Sequence, residues 1–143
     1  MLPTVFLALV VAAPALKEKA RPAPSLVGSW VVETMVFAGQ PRPVPNPETW
    51  IFYPDGSRTA GQGDTVARRG TFVVDPRANP VAVDLTANPG NFRHRCIYRI
   101  DGDTLTLNVG WNNDDRPAAF ESAAGSRCTL YTFKRVRPDG GKP

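Results

Sequence analysis

Proline and glycine interrupt the chain so often between Leu26 and Val136 that no helix of useful length can form there. The 143 residues hold 15 prolines and 12 glycines. Proline lacks a backbone donor, and both residues mark turns. The stretches between them alternate apolar and polar residues with period two, the pattern of half-buried strands.

Eight strands follow from that alternation. The first runs from about Leu26 to Ala38, rich in Trp30, Val31, Val32, Thr34, Val36 and Phe37, and is stopped by Gly39. Pro41, Pro43, Pro45 and Pro47 then dictate an extended covering loop. Thr49 to Tyr53 is the second strand, ended by Pro54-Asp55-Gly56. Ser57 to Ala60 returns as a short third, and Gly61 to Asp64 reads as a flexible connection. Arg69 to Asp75 and Val81 to Thr86 flank a Pro76–Pro80 turn, and Asn88-Pro89-Gly90-Asn91 makes the next. Arg93 to Ile100 and Thr104 to Val109 form a hairpin through Asp101-Gly102-Asp103. A long loop through Asn112 to Asp115 leads to the closing strand, Cys128 to Val136. Strands at hairpin spacing suit an all-β, antiparallel up-and-down barrel.

The ends of the chain read differently. Val5 to Ala13 is apolar and too short to span a bilayer, and Ala13-Pro14-Ala15 offers the small residues of a cleavage site. Residues 1–15 thus read as a signal peptide, 16–25 as a linker, 26–136 as the domain and 137–143 as a disordered tail. That organisation places the mature protein in a periplasm, cell envelope or extracellular space, with no membrane span after cleavage. The formal charge of +4 is modest, and Lys17, Lys19 and Arg21 lie ahead of the domain. A nucleic-acid surface normally carries a stronger, clustered excess.

Several segments, in order, carry a resemblance. They are Leu26-Val27-Gly28-Ser29-Trp30, Gly70-Thr71-Phe72, Asn79-Pro80 with Val83-Asp84-Leu85, and Tyr98-Arg99-Ile100-Asp101-Gly102-Asp103-Thr104-Leu105. Arg116-Pro117 with Phe120 and the closing Phe133-Lys134-Arg135 complete the series. The chain resembles an uncharacterised family of small exported domains found in planctomycete bacteria, lipocalin-like in pattern. The resemblance implies a lipocalin/calycin-like barrel and no established activity. Gly28, Trp30 and Arg135 match the two ends of the lipocalin signature. There the Trp plugs one barrel end under a guanidinium, a contact worth about 0.5–2 kcal/mol.

Alternate residues of a barrel strand face inward. On the strand at Arg93 one face carries His94, Cys96, Tyr98 and Ile100, and the other carries Arg93, Arg95, Ile97 and Arg99, which read as outward and solvated. Trp50, Phe52, Phe72, His94 and Tyr98 are the candidate lining of an interior ligand site. An eight-stranded interior is either filled by side chains or holds one small ligand.

Reactive chemistry finds little support. His94 is the only histidine, and no Ser sits in a nucleophile elbow. One His with two distant Cys lacks metal-ligand spacing, and no cofactor motif is present. A Cys96–Cys128 disulfide suits an oxidising compartment, but an intervening strand would hold the pair about 9–10 Å apart, beyond the roughly 7 Å a disulfide spans. It closes only if Cys128 folds over from the preceding loop. The expected function is a non-enzymatic exported domain binding a small apolar or amphipathic molecule. The alternative is a filled barrel serving as a structural or protein-interaction domain of the envelope.

Overall fold

The computed structural model describes residues 23–88, 92–111 and 115–137. The expected signal peptide, most of the linker, part of the turn after Asn88, Asn112 to Asp114 and the tail beyond Arg137 lie outside the described residues.

Among the described residues nine strands form one antiparallel sheet: β1 (Gly28–Phe37), β2 (Gln40–Arg42), β3 (Thr49–Phe52), β4 (Ser57–Gln62), β5 (Thr65–Asp75), β6 (Ala82–Asn88), β7 (Phe92–Asp101), β8 (Thr104–Gly110) and β9 (Cys128–Val136). From β3 to β9 each strand pairs with the next. β1 takes β3 along Gly28–Val31 and β9 along Ser29–Phe37, which closes an eight-stranded up-and-down barrel.

β2 stands outside the ring. Gly39 does not end pairing, because Ala38 and Gly39 both take positive φ (50° and 78°) and turn the chain back on β1. Two positive φ values suit a tight hairpin turn, and Pro41 is tolerated because β2 is an edge strand. Gly61 to Asp64 is likewise not a loose connection. The chain turns tightly there, and β5 starts at Thr65, with Gln62 paired to Thr65.

The core fills the end of the barrel where β1 begins. Trp30 is fully buried and its indole N–H donates to the Leu26 carbonyl at 2.9 Å. The Arg135 guanidinium lies 4.2 Å from the centre of the Trp30 ring. Gly28, at φ 137°, holds a backbone conformation that side chains rarely adopt, with Arg135 alongside. Phe52 meets Phe72 edge-on at 5.1 Å. The Tyr98 hydroxyl donates to the Pro24 carbonyl at 2.7 Å, so the chain packs on the barrel before Leu26, within the segment expected to be linker. At the other terminus Arg137 reaches Asp103 at 2.6 Å.

Residues 115–127 form a strap over the outside of β6 to β8. Arg116 donates to the Cys96 and Val83 carbonyls and to the Asp84 carboxylate at 2.6 Å. The Asn108 amide donates to the Ala119 and Glu121 carbonyls, both at 2.8 Å. Arg99 stacks over Phe120 at 4.6 Å. The strap accounts for the burial of Ile97 and Asn108, whose side chains lie on the outer face. Arg93 and Arg99 do face outward, but they are engaged rather than merely solvated, Arg93 with Asp84.

Cys96 and Cys128 are not joined by a disulfide. Cys96 pairs with Val109 and faces in, whereas Cys128 pairs with Gly110 on the opposite face of β8. A strand lies between them, and Cys128 belongs to β9 rather than to a loop able to fold over.

Candidate functional site

The barrel interior divides into a filled end and a hollow end. Phe52, Phe72 and Tyr98 belong to the filled end, where they pack on one another and on the incoming chain. Trp50 and His94 lie nearer the mouth. The five residues expected to line one interior site therefore do not share one cavity, and only Trp50 and His94 face a common space.

The mouth is shaped by an irregularity in β1. The register with β9 shifts between Val32 and Thr34, so that Met35 pairs with Tyr131 and Phe37 with Thr129. This bulge keeps Met35 and Phe37 on the inner face beyond the point where the alternation from Trp30 would have turned them out. The result is an open cup of about 500 Å3, walled by Met35, Phe37, Trp111 and Tyr131 and flanked by exposed Arg42 and Arg127. Arg42 lies 5.8 Å from the Phe37 ring. A smaller hollow of about 230 Å3 adjoins it under Pro43–Asn46, where Val44 packs against the core.

Deeper in the barrel is a chamber of about 60 Å3, lined by Trp50, Arg58, Leu85, His94, Val109 and Trp111, with Arg68 and Ala87 at its side. Trp111 lines both spaces and so stands between chamber and cup. Arg58 enters through register: it pairs with Phe52 on one side and Gly70 on the other. A Cβ at Gly70 would lie 1.9 Å from the Thr86 carbonyl oxygen, so that partner carries no side chain. The Arg58 guanidinium sits 5.7 Å from the Trp50 ring. Trp50 in turn packs on Tyr131 and Phe133 at 5.2 and 5.1 Å.

Electrostatically the chamber is cationic. Burial, and the neighbouring Arg58 charge, lower the His94 pKa against an opposing contribution from the Gly110 backbone, which leaves the imidazole neutral near pH 7. Burial pushes the Cys96 thiol up to about 12, so it is an inert, protonated thiol. Arg68 is paired with Glu48 at 2.7 Å.

Sequence reasoning missed Arg58 and Trp111 of the chamber, and Met35, Phe37 and Tyr131 of the cup. The hairpin from Thr49 to Ala60 carried a usable signal, since an inward Phe52 opposite Arg58 makes Arg58 inward as well. Among the described residues no group of three or more His, Cys, Asp or Glu could hold a metal, and no helix is long and apolar enough to cross a membrane. Comparison with family models, with curated proteins and with solved structures finds no match to this chain.

Proposed function

We propose that the protein is an exported, non-enzymatic, lipocalin-like domain that binds a small amphipathic molecule at the barrel mouth. The observation that carries this reading is the cup of about 500 Å3, with apolar walls and two arginines beside it. A space of that size falls within the range of small-molecule sites, which pair apolar lining with a few placed polar groups. Met35, Phe37, Trp111 and Tyr131 suit an apolar body, and Arg42 suits an anionic or polar end. Export rests on the apolar Val5–Ala13 stretch and the Ala13-Pro14-Ala15 site. The planctomycete-type resemblance rests on its ordered segments alone.

Titration with the fluorescent amphipathic anion anilinonaphthalene sulfonate tests the cup. One saturable site is expected, competed by decanoate. Met35→Trp, which fills the cup, should weaken binding by about tenfold, near 1.4 kcal/mol, with the melting temperature unchanged. Absence of a saturable site, or equal binding by the variant, would rule the reading out.

A further inference from the structure

Three buried polar atoms without hydrogen-bond partners come from residues that line one chamber. They are the Trp50 indole Nε1, the Arg58 Nε and the His94 Nδ1. Trp50, Arg58 and His94 are only 4%, 6% and 8% exposed, so bulk water does not solvate them. Buried polar groups normally find partners, and each exception calls for an explanation.

We infer that this chamber is a binding site for a carboxylate group, held by the Arg58 guanidinium and the Trp50 indole N–H, with His94 beside it.

A guanidinium stays protonated in proteins. The Arg58 Nε has no hydrogen-bond partner, and among the described residues no carboxylate lines the chamber. Glu48, on the lining of the neighbouring hollow, is engaged by both oxygens with Arg68. Water filling the chamber would leave the Arg58 charge uncompensated by any described residue of its lining.

The space also selects among anions. A cavity needs about 10–15 Å3 to hold one water, so about 60 Å3 admits several waters or one small planar anion. One guanidinium balances one negative charge and offers a planar fork that fits a carboxylate. Leu85 and Val109 supply apolar walls, which disfavour a doubly charged phosphate. The Gly110 backbone engages the imidazole and leaves Nδ1 without a partner, so Nδ1 presents an N–H to the anion in the protonated form of His94. Arg68, with its side chain half exposed, lines the chamber's side and gives it a solvent-facing margin.

The carboxylate has two sources. It is a free short acid, or the head group of a longer acid whose chain lies in the cup beyond Trp111. The chamber does not depend on the cup reading, and the test separates them.

Acetate, decanoate and neutral acetamide are titrated into the full chain by calorimetry, in chloride-free buffer of constant ionic strength. Saturable one-site binding of acetate and none of acetamide is expected. Arg58→Met should weaken acetate by about tenfold or more. Trp50→Phe, which keeps an aromatic ring but removes the N–H along with part of the indole, should weaken it less and serves should Arg58→Met not fold. Decanoate binding more tightly than acetate, with the advantage lost in Met35→Trp, assigns the head group of a longer acid. Equal affinities assign a free short acid and count against the cup alone. No uptake of either carboxylate, acetamide binding as well as acetate, or acetate affinity unchanged in both chamber variants would overturn the inference.

Discussion

The His94 imidazole meets the Trp111 indole edge-on, 4.8 Å between centroids and 71° between planes. The same indole donates its N–H to the Thr129 hydroxyl at 2.6 Å. Trp111 is thereby fixed between the chamber and the cup by one aromatic contact and one hydrogen bond. Trp111→Phe retains a ring and deletes the bond, leaving the buried Thr129 hydroxyl without that donor. A loss of about 1 kcal/mol is expected, measured as a lower urea midpoint with an unchanged slope. A change of slope instead would indicate that the wall itself had come apart.

Stability should depend on the charge of His94. Its folded pKa is lowered, by burial first and by Arg58 next, below the ordinary value of about 6.5. The unfolded chain therefore binds the proton more readily, and stability rises with pH across that interval. As pH falls below about 6.5 this stability is lost, and the loss levels off once the folded His94 is protonated too. His94→Gln should flatten that part of the profile of unfolding free energy against pH. A bound carboxylate, by favouring the protonated imidazole, should reduce the same slope in wild type.

Arg58 should reduce stability while it serves binding. Replacing a buried, uncompensated charge by an apolar side chain of similar length removes a desolvation cost. In carboxylate-free buffer, Arg58→Met is expected to unfold at higher urea than wild type, by about 1–3 kcal/mol. Saturating acetate should narrow the gap by stabilising wild type alone. A destabilised Arg58→Met would mean that its contact with the Trp50 ring outweighs the cost of burying the charge.

Strand alternation made most of the barrel legible, because Trp30, Trp50, Phe52, Phe72, Val83, Leu85, Tyr98, Leu105 and Phe133 fall on the inner face at period two. The pattern failed where polarity no longer reports burial. Thr65 to Arg69 is exposed throughout, so the first half of β5 shows no apolar alternation. β2 is hidden by prolines that are harmless on an edge strand. The bulge after Val32 shifts Met35 and Phe37 to the inner face, and nothing in their neighbours announces it. Arg58 was missed because an arginine between Ser57 and Thr59 looks like a solvated strand residue. Only its register with Phe52 says otherwise.

The strap should depend on Arg116. Burial raises the Asp84 pKa, but hydrogen bonds and charge from Arg93 and Arg116 outweigh it, and the net shift is downward. This contribution is present above the unfolded value of about 3.9 and is lost as pH falls through the lower folded value. Arg116→Ala removes one of the two arginines and the bonds to the Cys96 and Val83 carbonyls. A loss of about 1–2 kcal/mol is expected, together with faster proteolysis within residues 115–127. Proteolysis unchanged in that segment would show that Asn108 and Phe120 hold the strap without Arg116.

The Trp30–Arg135 stack closes the end of the barrel opposite the cup, and its energy can be separated from its surroundings. Arg135 also lies 3.5 Å from Asp103, a partly exposed pair of small worth. A double-mutant cycle with Trp30→Phe and Arg135→Ala isolates the contact across the ring face. A coupling of about 0.5–2 kcal/mol is expected. High salt should leave most of it in place, because Trp30 is fully buried, whereas the Arg135–Asp103 pair is screened. Ligand binding at the cup should not change in Arg135→Ala, because the stack and the mouth lie at opposite ends of β1. Loss of binding without loss of folding would show that the two ends are coupled through the barrel wall.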